Sequence, residues 1–157
     1  MLIISFLIIF ESNIKDDRME VMYEIDGKNF KDYGVYVSSS QGLIGGLKPK
    51  KGLEAEWLDE HGMTVDVSQM YFESRSITLN CFMVSEDAAE FIERMEAFSA
   101  LFYAPGEHVL RVSVAGKGLE YKVRLADMLN VEKTFRDSLM VSSFALKLSE
   151  DEPGRLY

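Results

Sequence analysis

Few residues in this chain have types and spacing suited to chemistry. Asp59, Glu60 and His61 stand in a row and offer metal ligands or an acid–base pair. Adjacent residues seldom converge on one point, and the only other histidine, His108, is far along the chain. The run Asp59–Glu60–His61–Gly62 therefore reads as a hairpin turn. His108 follows Gly106–Glu107 at a strand start and reads as a solvated loop residue. Cys81 is the single cysteine, which excludes an internal disulfide and a cysteine-based zinc site. It falls on the apolar parity of a strand and is expected to act as a small buried hydrophobe. The glycines from Gly42 to Gly52 suggest a phosphate loop, but such a loop needs Gly-Lys-Ser/Thr opening a helix. Here Lys48, Lys50 and Lys51 flank Pro49 and a strand follows. Ser38, Ser39 and Ser40 have no neighbouring base to activate them. Nothing in this inventory calls for catalysis, a cofactor or a metal.

The elements that would position these residues belong to one domain of ordinary composition. The 157 residues are 47% apolar and 27% charged, with a formal net charge of −9. A chain this acidic disfavours non-specific binding to the nucleic-acid backbone, which depends on lysine and arginine displacing counterions. It equally disfavours an anionic membrane surface. Lys48, Lys50 and Lys51 form the one local basic cluster, which reads as a solvated loop. Met1 to Phe10 is nearly all apolar, yet it is about half the ~20 residues of a membrane span. No basic residue precedes it and no small-residue cleavage site follows, so it does not read as a signal peptide. Residues 1–18 are expected to be a non-native or disordered extension, with translation starting at Met19 or Met22. Residues 19–150 are expected to form a single β-rich domain, and residues 151–157 a flexible tail.

Short strands dominate from Val21 onward. Val21–Ile25 ends at Asp26-Gly27, a strong hairpin signal. Lys28–Phe30 returns, and Val35–Val37 is another β-branched and aromatic run. Residues 38–52 read as a long loose loop carrying Leu43, Ile44 and Leu47. Leu53–Leu58 alternates and residues 63–67 answer it across the turn. Ser76–Val84 alternates most clearly, with Ile77, Leu79, Cys81 and Met83 on one face. A helix over about 86–103 follows, with Ser85 as N-cap and Ala104-Pro105-Gly106 as its stop. Its apolar stripe comprises Ala88, Phe91, Ile92, Met95, Phe98 and Phe102. Val109–Val114, Leu119–Leu125 and Leu139–Ser149 read as further strands, with residues 130–137 a connection or a strand extension. The expected fold is mostly β (α+β): an antiparallel sandwich or split barrel with one covering helix.

The order of these elements resembles that of phage distal tail proteins. Tyr23 to Val37 resembles that family's opening, a strand and turn followed by aspartate, aromatic, glycine and a hydrophobic residue. Tyr71 with Arg75-Ser-Ile-Thr-Leu79 resembles its aromatic and arginine-led strand, and Tyr121-Lys-Val-Arg124 resembles a strand of its later hairpin. The resemblance spans about residues 21–150, although the Gly- and Lys-rich loop differs from the family's. Many members carry a second, C-terminal domain; the resemblance here is to the N-terminal, ring-forming part, with its tail-tube-like fold.

That resemblance implies a phage or prophage virion protein at the baseplate, made in the bacterial cytoplasm and incorporated in the tail. It implies a self-assembled hexameric ring joining the tail tube to the hub, with DNA passing through the lumen. A ring needs open edges or apolar loops that meet a neighbouring copy. Leu43, Ile44, Leu47, Lys48, Asp59, His61, Met63 and Met70 are the candidate subunit-interface residues. The alternatives are another tail part, such as a tube or terminator subunit, a small ligand-binding β-barrel, and an enzyme using Asp59 and His61.

Overall fold

The computed structural model describes residues 21–136 and 139–153, with side chains of 134–136 outside the description. The expected extension over residues 1–18 and most of the expected tail lie outside the described residues. Strand β1 (Val21–Ile25) turns through Asp26 and Gly27, both at positive φ, into the short β2 (Lys28–Asn29). Two consecutive positive φ values are what an Asp-Gly hairpin turn requires. A 3-10 turn (Phe30–Tyr33) follows, capped by the Asn29 side chain, and leads into β3 (Val35–Gln41). β3 therefore takes in Ser38 to Gln41, which the sequence suggested were loop. Ser38 and Ser39 find partners across the strand pair: Ser38 Oγ donates to Asn80 O, and Asn80 Nδ2 donates to Ser39 Oγ.

Beyond Gln41 the chain leaves the sheet and returns only at β6 (Arg75–Ser85). Between them lie two short paired strands, β4 (Glu54–Ala55) and β5 (Thr64–Val65). Helix α1 (Ala88–Tyr103) is followed by β7 (His108–Val114), β8 (Lys117–Leu125), β9 (Val131–Arg136) and β10 (Leu139–Glu150). The sheet order is β2-β1-β7-β8-β10-β6-β3, with β9 paired to β10 and every pairing antiparallel.

β8 is the corner of this arrangement. It pairs with β7 along its length but meets β10 only at Leu125↔Leu148 and Arg124↔Ser149. β9 takes the same side of β10 from Leu139 to Phe144. The two halves are thus joined at one corner and splay apart elsewhere, giving a mostly β sandwich covered, among the described residues, by the one helix α1.

Period-two burial fills the space between the halves. β6 buries Ile77, Leu79, Cys81 and Met83; β10 contributes Phe144, Leu146 and Leu148; β7 and β8 contribute Leu110, Val112, Tyr121 and Val123. The helix lays Phe91, Met95, Phe98 and Phe102 on this core, at the three- and four-residue spacing of one face. Phe98 is fully buried and meets the rings of Phe30, Phe102 and Phe144 at centroid distances of 5.1, 5.2 and 5.8 Å.

Three local expectations are corrected. Asp87, not Ser85, caps the helix: its side chain accepts from the Ala89 N–H at 3.0 Å, while Ser85 Oγ donates to Asp87 O. Ile92 lies outside the buried stripe and is about half exposed. His108 is not a solvated loop residue but is buried. Its Nδ1 lies 2.7 Å from Asp26 Oδ2 and its Nε2 lies 2.9 Å from Ala104 O. Both neighbours present oxygen atoms to the ring nitrogens. His108 ties the β1–β2 turn to the end of α1 through contacts distant in sequence.

Candidate assembly surface

Residues 42–74 form an arm on this sandwich. Its two legs run antiparallel and hold together through a few backbone bonds. The Glu73 N–H donates to Lys48 O at 2.8 Å, Lys50 N–H to Tyr71 O at 2.7 Å, and Asp66 N–H to Leu53 O at 3.0 Å. An isolated bridge joins Pro49 to Phe72, and Lys48 pairs with Glu73 at 3.3 Å. The turn at the far end spans Leu58 to Gly62; it takes in the expected Asp59–Gly62 turn and begins one residue earlier, since the strand before it covers only Glu54–Ala55.

The arm is fixed at its root by a buried polar cluster. Leu43 is buried, and its carbonyl accepts from the Tyr121 hydroxyl and from Arg75 Nη1, the latter at 3.3 Å. The Arg75 guanidinium lies over the Tyr121 ring at 5.3 Å and is only 4% exposed, a placement that adds cation–π attraction. Its Nε is 3.3 Å from Glu150 Oε2 at the end of β10. Burial raises the Glu150 carboxyl above its ordinary pKa, against the opposing pull of Arg75. One carbonyl on the outgoing leg is thereby held by the first residue of the returning strand and by the sandwich. Gly42 completes the root. It adopts φ +86°, and a Cβ there would lie 2.1 Å from Ser76 O, so only glycine allows the legs to approach this closely.

Away from the root, the arm buries little. Every residue from Glu56 to Tyr71 is exposed. The exposed side chains include Leu53, Trp57, Met63, Val67 and Met70, and Leu58 reaches 109% of its reference area. So many large apolar side chains in one exposed segment make the arm the candidate contact surface. Charge is also divided along the arm. Lys48, Lys50 and Lys51 stand in the root half, facing Asp66 and Glu73 of the returning leg, whereas only acidic charges, Glu54, Glu56, Asp59 and Glu60, stand on the outgoing leg toward the tip.

The structure sorts the candidate interface residues. Ile44, Lys48, Asp59, His61, Met63 and Met70 are exposed on the arm, and Leu47 is half-buried. Leu43 faces the core and anchors the root, so its side chain is withdrawn from the surface. Asp59 and His61 sit at the exposed turn, and among the described residues no group of three or more His, Cys, Asp or Glu could hold a metal ion. Burial pushes the Cys81 thiol up to about 12, which leaves it protonated and without nucleophilic character near neutral pH. No described helix is long and apolar enough to cross a membrane.

Sequence reasoning missed the tip pair Trp57–Leu58 and the Arg75–Glu150 pair. The available signal for the tip was the chain's one tryptophan standing two residues before a hairpin turn. Nothing signalled Glu150, whose partner is 75 positions away.

A shallow cavity of about 240 Å³ opens beside the root. Val21 and Tyr23 of β1, Val112 and Val114 of β7, Leu119 of β8, and Ile44 of the arm line it.

No protein-family model matches the sequence, and no curated protein matches it. Among solved structures, the chain is similar to the Dit protein of phage SPP1, described as a paradigm of the hub adsorption apparatus in phages infecting Gram-positive hosts. The TM-score is 0.57 at 11% identity, over 81% of this chain and 49% of that protein. The chain thus spans about half the length of the protein it resembles, and the likeness is one of fold.

Proposed function

We propose that this chain is a structural, non-catalytic subunit of a phage or prophage tail. In this reading it closes a ring with copies of itself, in the baseplate region of the virion, and joins the tail tube to the hub. The observation that carries the reading is the arm: a ribbon fixed at its root whose large apolar side chains have no core of their own. Free in water, that surface is a standing cost of roughly 25 cal/mol for each Å² of apolar area left uncovered. Contact with another subunit removes it. Because the arm and any surface receiving it are different patches, the contact is heterologous, and repetition closes a ring when the rotation permits. The shared fold with SPP1 Dit supports a tail role for such a ring.

Six copies and a lumen passing DNA extend the same reading. The net charge of −9 suits a lumen that DNA slides through without adhering. Other tail parts, the tube or terminator, share the ring principle and differ in position. A small ligand-binding barrel needs an interior cavity, whereas Tyr121, Phe30, Phe98 and Leu146 fill the space between the sheets here.

Size-exclusion chromatography with light scattering, followed by negative-stain imaging, tests this. Closed rings with a central opening are expected. A monodisperse monomer at tens of micromolar, with or without tail-tube protein, overturns the reading.

A further inference from the structure

We propose that the cavity at the arm's root receives the tip of the arm from a second copy of this chain, with Leu58 and Trp57 as the inserted side chains. The proposal rests on the ring reading above and names the contact that would build the ring.

Three observations converge on this occupant. The cavity is lined mainly by apolar side chains, among them Val21, Tyr23, Val114, Leu119 and Ile44, together with Ser40 and the Gly42 backbone, and its volume of about 240 Å³ falls below the ~300–1,000 Å³ typical of small-molecule sites. That size suits one or two inserted side chains. The chain's own tip does not fill it, since Leu58 is wholly exposed and Trp57 is 59% exposed. The bonds between the legs at Lys48/Glu73, Lys50/Tyr71 and Leu53/Asp66 keep the ribbon closed on itself.

Charge makes the match specific. Lys50 and Lys51, on the root side of the arm, are exposed and form no ion pair among the described residues. Glu54, Glu56, Asp59 and Glu60 surround the apolar tip and likewise have no ion-pair partner among the described residues. A tip entering a neighbour's root cavity brings free carboxylates toward free ammonium groups. Tip against tip would oppose like charges, and such juxtaposition selects against the wrong register. The apolar contact supplies affinity and the charges supply polarity. The outcome is a one-way, tip-to-root contact of the kind that repeats around a ring.

A photo-crosslinking amino acid in place of Leu119, in the full chain, tests the contact directly. Protein labelled with light and heavy nitrogen is mixed, illuminated and digested with trypsin, and the linked peptides are identified by mass. A mixed-isotope link to the peptide Gly52–Arg75, in particles larger than a dimer, is the expected result. The same link in a dimer alone keeps tip-to-root insertion but overturns the ring. Rings that link Leu119 elsewhere, or not at all, overturn this proposal and leave the ring reading standing. A link within one chain, whether to its own arm or to residues 1–20, in a protein that stays monomeric overturns both. A charge exchange gives an independent readout. Glu54→Lys with Glu56→Lys should lower the assembled fraction by about tenfold or more, and adding Lys50→Glu with Lys51→Glu should restore it. Failure of that rescue, with the quadruple variant folded by circular dichroism, overturns the charge pairing.

Discussion

Strand β6 buries every second side chain from Arg75 to Ser85, whereas the arm that runs into it leaves every residue from Glu56 to Tyr71 exposed. The two segments are continuous in sequence and comparably rich in apolar residues. They differ in their neighbours. β6 lies between β10 and β3, paired on both edges, and its inner face meets the helix and the opposite half of the sandwich. Among the described residues the arm pairs only with its own second leg. Apolar content therefore does not decide where a core forms. A third layer must be present to cover the face that two strands leave open. In the sandwich that layer belongs to the same chain; for the arm, our reading assigns it to another.

The contrast predicts a gradient of mutational effects on folding, steepest in the sandwich. Phe98→Ala removes a fully buried ring that touches Phe30, Phe102 and Phe144. Chemical denaturation should show a loss of about 3–5 kcal/mol. A loss under 1 kcal/mol would mean that the helix does not form the cover described here, and the division between a covered and an uncovered region would collapse.

The junction comes next, because it belongs to both regions. Gly42→Ala places a methyl group against Ser76 O at positive φ. Strain of this kind costs about 1–3 kcal/mol before the clash is added. The expected result is a stability loss of that size together with altered hydrogen exchange at Leu43 to Lys48, since the root must shift to admit the side chain. Loss of stability without any change in the root amides would separate the junction from the arm.

Much of the sandwich was legible because its signals are local. The alternation of Ile77, Leu79, Cys81 and Met83, the spacing of Phe91, Met95, Phe98 and Phe102, and the Asp26-Gly27 turn each follow from a few consecutive residues. Most of the misjudged positions depend on partners distant in sequence. Arg75 stands out in the sequence only as the residue leading a strand, and its buried place appears once Tyr121 and Glu150 are brought beside it. His108 reads as solvated until the β1–β2 turn delivers Asp26. Gly42 reads as loop flexibility, although it marks a tight approach to Ser76. Asp87 and Ser85 are both good caps, and only backbone geometry decides between them. At the candidate surface, residues on the arm were legible as a group, because an apolar run with turn signals stands out. The opposite fates of Leu43 and Leu58 were not, since burial is set by tertiary contacts.

A smaller effect is expected at the Asp26–His108 tie. Burial alone would raise the Asp26 carboxyl. The Val109 N–H and the His108 ring outweigh it and hold the group below its ordinary value of 3.8. A depressed folded-state pKa contributes stability above the ordinary value, and that contribution is lost as pH falls through the lower, folded value. Glu150 has the opposite sign: its raised pKa favours the fold at low pH, and this contribution fades as pH rises through the folded value. Asp26→Asn keeps an acceptor for Val109 and tolerates the left-handed turn, but removes the charge. Near neutral pH it should cost about 1 kcal/mol, and the stability curve below pH 3.8 should flatten relative to the parent. An unchanged acid limb would show that the tie does not respond to pH.

The smallest effect on folding, and the most informative about the arm, is expected from Leu58→Ser. Leu58 touches nothing that could collapse around a missing side chain, so the monomer's stability should change by less than about 0.5 kcal/mol. Removing a large exposed hydrophobe from a protein that has no use for it should also leave the oligomeric state untouched. If the tip is a contact, the two measurements part company: thermal unfolding of the dilute, dissociated protein stays the same while assembly weakens. A substitution harmless to the fold and harmful to assembly is the signature of a surface whose covering layer comes from elsewhere. A stability loss above 1 kcal/mol would instead place Leu58 against its own sandwich in solution, and the arm would then be an ordinary part of the core.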